Sequence, residues 1–429
     1  MKRIKIIGLV IIMTAAFKFV NAQDVPMPAP AQKEAITLQG GRLHVGNGLV
    51  IEKSTIIFES GKIIGASNFN SNTKGRVIDV SGKDIYPGLI ATSSELGLVE
   101  IEAVRSTRDV NEVGLINSNV RASIAYNTDS RTTPTVRFNG VLTSQVTPNS
   151  GRISGTSSVM QMDAWNWEDA LMKDDGVWID FPNLFSYTGW WAEPGSFEKN
   201  KEYDNQLNEL KSFLLESKAY CEKKDPLPIN LKYGAMRGVF SGAMNLYIRA
   251  GGIKEMKSAI SMCEELGIKP VLVGADDAYL MADELASKKI SVILDKCHSL
   301  PSRTDDDIQQ NYKTPTILQK AGVLFCISIS GSWQTRNLAF EAGTAAAFGL
   351  TKEEALATIT SNPAKILKMD NKIGTIEIGK NATLLVCEGD IMDMRTNKIE
   401  FAFIEGREIS LGNKQLDLFH KFAAKYEIK

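Results

Sequence analysis
Few side chains in this 429-residue chain suit catalysis or metal binding, and those that do cluster at the ends of apolar runs. Glu95 follows LIATSS, Arg249 lies in NLYIRA, Asp276 and Asp277 follow PVLVGA, and Asp295 follows SVIL. Carboxylates gathered at such ends would suit a hard cation such as calcium or magnesium. Asp276 and Asp277 ahead of a helix equally fit an N-cap pair. Glu95 opposite Arg249 would form an ion pair, each group offsetting the other's loss of water. Imidazoles are scarce: the histidines are His44, His298 and His420. His44 falls among short β runs and His420 in a C-terminal helix, which leaves His298 to reach a shared site. Cys297 and His298 do not make a nucleophile pair, because neighbours on an extended chain point to opposite faces. Ser154, Ser157 and Ser158 in SGTSS lack a G-x-S-x-G frame, and the stretch has the composition of tightly turning backbone. Trp165, Trp167, Trp178, Trp190 and Trp191 are expected to pack as a core or lid.

The elements that would position these groups follow from patterning. From Ala35, short β runs are separated by Gly40-Gly41, Glu59-Ser60-Gly61 and Ser81-Gly82, as in hairpins. Similar runs return in KIGTIEIGKNATLLVCEGD and KIEFAFIEGREISL after a helix predicted over 352–367. Neither set can bury two faces alone. Between them, apolar strands alternate with amphipathic helices: PVLVGA with AYLMADELASK, and VLFCISIS with NLAFEAGTAAAFGL. That alternation predicts parallel βαβ units. The expected fold is α/β: a (β/α)8 TIM-like barrel over 85–370, with a small β-sandwich built from 35–84 plus 371–412. Residues 23–34 read as a linker, 196–226 as a charged helical insertion, and 413–429 as a C-terminal helix.

Composition narrows the partners. A 43% hydrophobic content and a net charge of −1 suit a globular chain with a large core and give nucleic acid no basic surface. The cysteines Cys221, Cys263, Cys297, Cys326 and Cys387 lack paired spacing and are expected as buried small hydrophobes. Lys2, Arg3 and Lys5 precede an apolar run too short for a membrane span, and Val20-Asn21-Ala22 offers a cleavage site. The expectation is a signal peptide over 1–22, cleavage near Ala22, export to the periplasm or beyond, and no membrane anchor.

VIDVSGKDIYPGLIATSSELG, Val77 to Gly97, resembles the barrel entry of the amidohydrolase superfamily, where D-x-x-G-x-x-x-x-P-G-x-I-D leads into His-x-His. The closing I-G-x-I-E-x-G-K-x-A-x-L-L-V and F-I-E-G-R are similar to the same family's C-terminal signature. LGLVEIEAVRSTRDVNEVG and SGTSSVMQMDAWNWEDA look like an exported bacterial branch related to imidazolonepropionase-type amidohydrolases. The resemblance implies metal-ligand positions, and each holds another residue. Ser93 and Glu95 replace the two first-strand histidines, Arg249 the fifth-strand histidine, Gly274 the sixth-strand histidine, and Ser330, within one residue, the eighth-strand aspartate. Arg105, Asp276, Asp295, His298 and Trp333 complete the possible pocket. The resemblance therefore implies the barrel without its zinc, and no cofactor. The expected role is a non-catalytic ligand-binding or companion subunit, as a homo-oligomer or with a metal-bearing paralogue, taking a small-molecule or peptide ligand. The alternative is a hydrolase for amide, cyclic amide or dipeptide-like bonds, with Glu95 as general base and Arg249 or Arg105 stabilising the oxyanion.

Overall fold
The computed structural model describes residues 27–428 apart from 191, 302, 304 and 305; the expected signal peptide lies outside the described residues. Seven strands come first: β1 (Ile36–Gln39), β2 (Arg42–His44), β3 (Val50–Ile51), β4 (Ser54–Glu59), β5 (Lys62–Asn68), β6 (Arg76–Asp79) and β7 (Asp84–Pro87). Next are β8 (Leu89–Ser94), β9 (Val141–Val146), β10 (Ile153–Gln161) and β11 (Leu171–Asp180). A small hairpin, β12 (Phe185–Tyr187) and β13 (Phe197–Lys199), leads to helix Tyr203–Glu222. Then follow β14 (Asn245–Ala250), β15 (Pro270–Gly274), β16 (Ser291–Leu294) and β17 (Phe325–Ile327). The chain ends with β18 (Leu384–Glu388), β19 (Lys398–Ile404), β20 (Arg407–Glu408) and helix Lys414–Tyr426.

The sandwich is composite, because the first strands lack a second layer until the last strands return. One sheet runs β5-β4-β1-β6 and the other β20-β19-β18-β7-β2-β3. β7 takes β18 antiparallel on one edge and β2 parallel on the other, so the two chain ends share one ladder. Leu38, Ile56, Phe58, Ile85, Leu384 and Phe403 fill the space between the sheets.

The barrel is an eight-stranded sheet in the order β8-β9-β10-β11-β14-β15-β16-β17. It is TIM-like, with one departure: β10 runs antiparallel to both neighbours. Loop length explains the reversal. Only residues 147–152 separate β9 from β10, and 162–170 separate β10 from β11. A parallel crossover needs a dozen residues or more, so the chain turns back on itself. The SGTSS stretch is thus a buried strand rather than a tight turn. Its hydroxyls find acceptors on β11: Ser154 to Asp180, Ser157 to Asp175 and Ser158 to Asp174.

The predicted helix over 352–367 is two helices, Lys352–Ala357 and Ser361–Ile366. The break frees two carbonyls at the seam of the barrel. Thr358 O accepts from Ile327 N of β17 and Ile359 O from Ile90 N of β8, at 3.2 and 2.9 Å. One irregular turn thus stands between the first and last barrel strands.

A histidine joins sandwich to barrel. His44 stacks on Tyr86 at 4.5 Å, with Nδ1 2.6 Å from Glu353 and Nε2 3.4 Å from Asp84. Burial alone would lower its pKa, but the hydrogen bonds to Asp84 and Glu353 prevail and push it up to about 9. A raised histidine pKa contributes stability that is complete below the ordinary value near ~6.5 and is lost as pH rises. The window closes at about 9. His44→Gln is therefore expected to lose roughly 1–3 kcal/mol near neutrality. Thermal melts should show the gap to the parent chain shrinking through this window; a constant gap would exclude an imidazolium there.

Candidate functional site
The parallel strands β8, β9, β11 and β14 to β17 end at one face of the barrel, where Ser93, Glu95, Asp180, Arg249, Gly274 and Asp276 are placed. Glu95 and Arg249 do not pair. The Thr147–Pro148–Asn149 turn after β9 engages both: Asn149 Nδ2 donates to Glu95 Oε1 at 3.2 Å, and Arg249 Nη2 donates to Pro148 O at 3.1 Å. Arg249 instead forms an ion pair with Asp180, Nη1 to Oδ1 at 3.1 Å. The two are direct partners across the β11–β14 ladder, so register alone brings them together. The Arg249 guanidinium also lies 4.5 Å over the Trp178 ring, a favourable cation–π arrangement. Asp180 was not among the sequence candidates. Its signal was present, a carboxylate ending the apolar run GVWID, but pairing to Arg249 needed the strand order.

Below this pair a polar column runs through a barrel interior otherwise filled by Ile90, Val159, Val271, Val273, Ile293 and Cys326. Trp178 stacks on Tyr247 at 4.7 Å. The Asp175 carboxylate accepts from Tyr247 Oη at 2.6 Å, from Ser157 Oγ at 2.7 Å and from Gln145 Nε2 at 2.8 Å. Asn245 Nδ2 donates to both Tyr247 Oη and Ile366 O, closing the far end. At the near end, Gln145 Oε1 accepts from the backbone N–H of Ser93 at 3.1 Å. Ser93 adopts a left-handed φ of 51°, which is uncommon outside glycine. The polar column thus runs from Ser93 to the floor of the barrel. Burial pushes the Asp175 carboxyl above the ordinary carboxylate range, against its three hydrogen bonds.

The remaining sequence candidates do not join this group. Arg105 is exposed on the short turn Arg105–Thr107. Ser330 is also exposed, whereas Ser328, two residues earlier, is buried and donates to Leu294 O. Trp333 packs under Arg336 at 4.7 Å. Gly274, with φ of 81°, borders a small cavity of about 60 Å³ together with Asp276 and Asp295. Surrounding protein, then the like charges of Asp295 and Asp277, raise the Asp276 pKa, although the residue keeps an open edge to solvent. Asp277 caps a different helix from the one expected: it accepts from Ile253 N and pairs with Arg303. His298 turns to the outer helices, with Nδ1 3.1 Å from buried Glu341 and Nε2 against Thr344 Oγ1. Thr344 gives its proton to Phe340 O in its own helix, so this hydroxyl–imidazole–carboxylate row ties a loop to a helix.

Of the tryptophans, Trp178 is inside the barrel, Trp165 and Trp190 are exposed, and Trp191 lies outside the described residues. The cysteines are unpaired thiols, buried except for half-buried Cys221.

These residues do not fit a divalent metal. Among the described residues no three His, Cys, Asp or Glu side chains come together as a donor set. At the mouth a guanidinium lies against the nearest strand-end carboxylate, and a second cation there would meet repulsion in place of a ligand. The hard-cation option for Glu95, Asp276, Asp277 and Asp295 lacks the same geometry.

Residues 251–409 match the amidohydrolase family. The match takes in the barrel strands β15 to β17 and the sandwich strands β18 to β20. It is similar to an amidohydrolase from Thermotoga maritima MSB8, with 22% identity and a TM-score of 0.75 over 87% of this chain and 99% of that one. A putative prolidase from Bifidobacterium longum aligns at 14% identity and a TM-score of 0.54, covering 92% and 100%. An adenosine deaminase from Xanthomonas campestris with bound zinc aligns at 13% and 0.51, covering 94% and 99%. At these identities the likeness is one of fold. No curated protein matches the chain.

Proposed function
We propose that this chain is a metal-free amidohydrolase relative, acting as a non-catalytic ligand-binding or companion subunit, exported by its first 22 residues. The observation that carries this reading is the Arg249–Asp180 ion pair at the mouth. It sets a fixed positive charge where the family resemblance places an imidazole. A barrel kept rigid around an internal polar column still supplies a shaped surface, and function resides in such sites rather than in the fold. The hydrolase alternative needs Glu95 free to take a proton and Arg249 free to meet an oxyanion. Both have partners, Asn149 for the first, and Asp180 with Pro148 for the second.

The test is metal retention. The purified chain is incubated with excess zinc, manganese or cobalt, desalted, and measured by elemental analysis. The expected result is well below one metal per chain, with no change in melting temperature on adding a chelator. A ligand bound only by the native state would raise that temperature by mass action. One retained metal per chain, lost together with thermal stability on chelation, would falsify the reading. Repeating the measurement with a metal-bearing relative mixed in tests the companion role: a stable complex supports it, and two separate species speak against it.

A further inference from the structure
Two apolar surfaces are left uncovered by the chain's own packing. The first is helix Lys414–Tyr426, which has no buried side chain. Leu418, Phe422 and Tyr426 follow one another at four-residue spacing, with Phe419 beside them, so they share a face. They are 41%, 47%, 63% and 60% exposed respectively. Among the described residues, the side-chain hydrogen bond that ties the helix to the barrel lies near its root. Asn413 caps Leu416 N, and Gln415 accepts from Thr135 in the helix preceding β9.

The second surface is a groove of about 730 Å³ on the barrel flank. Thr156 of β10 and Asp174 of β11 floor it, and Pro226, Leu227, Ile229 and Leu231 wall it. Asp174 faces outward because its neighbour Asp175 faces the interior. The β9–β10–β11 meander carries no crossover helix; segment 116–125 lies along β10 instead, with Thr156 N donating to Val120 O and Ser123 N to Ser158 Oγ, and Asn119 and Arg121 border the groove. Leu227, Ile229 and Leu231 remain 84%, 75% and 69% exposed. Exposed apolar side chains grouped in this way mark an interaction surface.

We propose that the C-terminal helix of one copy seats in the flank groove of a second copy, and the reverse, as a reciprocal two-fold pair. Each surface is what the other lacks: one is a convex helical stripe, the other a cleft without a helix. Within one copy the two do not meet: no residue of helix Lys414–Tyr426 lines the groove. A second copy supplies both complements at once, and the two-fold exchange closes without leaving a free end. Size agrees. A helix of 13 residues is about 20 Å long. Three half-exposed aromatics and a leucine, their groove partners and the second exchange bury on the order of 1,200–1,500 Å². That lies within the range of stable pairs, about 1,200–2,000 Å². Rim charges of both signs are available: Lys224 and Asp225 at the groove, and Asp417, Lys421 and Lys425 on the helix. The inference is independent of the metal-free reading, since none of these residues lies at the barrel mouth.

The test uses the full chain, with Phe422→Glu on the stripe and Ile229→Glu in the groove, followed by light scattering after size exclusion. The parent chain is expected to be a dimer at low micromolar concentration. Each variant alone is expected to be a monomer with the parent's circular dichroism, and to lose the rise of melting temperature with protein concentration that the dimeric parent shows. Mixing the two variants brings back one of the two exchanges, so a dimer weaker than the parent's should appear at concentrations where neither variant pairs alone. A monomeric parent, a dimer indifferent to either substitution, or a failure of the mixture to pair would overturn the proposal. So would co-sedimentation with anionic phospholipid vesicles that is lost with Phe422→Glu but kept with Ile229→Glu, which would assign the helix to a membrane surface.

Discussion

Replacing Asp163 with alanine is expected to cost about 3–5 kcal/mol of folding stability, the cost of breaking a buried ion pair from one side. Asp163 is buried between two guanidiniums: Arg137 Nη1 at 2.5 Å and Arg407 Nη1 at 2.8 Å. It also accepts the backbone N–H of Ala29 at 2.9 Å. These partners come from three places: Arg137 from the helix Thr133–Phe138 of the barrel, Arg407 from β20 of the sandwich, and Ala29 from the N-terminal arm. One carboxylate therefore joins both domains and the arm. Alanine would leave two cations facing each other, with Arg137 almost without water. Asp163→Asn keeps an acceptor of the same shape but no charge, and should fall between the two. Chemical denaturation of the three chains measures this. An alanine variant within about 0.5 kcal/mol of the parent, the ordinary range for surface substitutions, would show that the guanidiniums find other partners.

The second large effect concerns Asp175 and has a defined sign. Its pKa is raised by burial, so the folded state binds a proton that the unfolded state has released. Its contribution is then complete below the ordinary carboxylate pKa, near ~3.9, and is lost as pH rises through the raised folded value. The network accepts the neutral form without strain. An Asp175 Oδ1–H would donate to Ser157 Oγ, and Ser157 would pass its own proton to Gly176 O, 3.1 Å away. Oδ2 would still accept from Tyr247 and Gln145. Asp175→Asn reproduces that pattern, with an amide N–H in place of the carboxyl proton. Melts from pH 5 to 9 should therefore show the parent losing stability with rising pH relative to the variant, which is the more stable of the two at pH 9. Asp175→Leu removes three hydrogen-bond acceptances and strands buried Tyr247 and Gln145, at a cost of about 1–3 kcal/mol each. A variant Asp175→Asn that is worse than the parent by the same margin at every pH would mean that the carboxylate stays ionised in the fold.

Much of the architecture was legible from local patterns. Apolar runs of strand length alternating with amphipathic helices describe the second half of the barrel, from β14 to helix Leu338–Ala347. There each crossover is local and every strand takes its helix from the next stretch of chain. The pairing of chain ends in one sandwich was also legible, because each end shows strands with no second layer of their own. The first half of the barrel was not. The run SGTSS has the composition of a turn, and only burial against Asp174, Asp175 and Asp180 makes its hydroxyls suitable for a strand. Likewise, the helix expected over 352–367 has helical composition throughout, yet the seam between β8 and β17 needs its carbonyls and breaks it at 358–360.

For the site, the residue types alone set the expectation of a barrel without zinc, since the chain has three histidines and two of them fall in segments that belong elsewhere. Fold class, composite sandwich and unpaired cysteines were determined at the same level, because they depend on periodicity and composition. Which charged groups meet was decided by the tertiary structure. Arg249 and Glu95 look like natural partners along the chain, but the Pro148–Asn149 turn stands between them, and strand register places Asp180 beside Arg249 instead. Asp175, Gln145, Ser157 and Tyr247 are far apart along the chain and meet only because the barrel turns their side chains inward. The physical reason is range: backbone periodicity acts over a few residues, whereas ion pairs and buried hydrogen bonds depend on distances of about 3 Å that only strand order and register create.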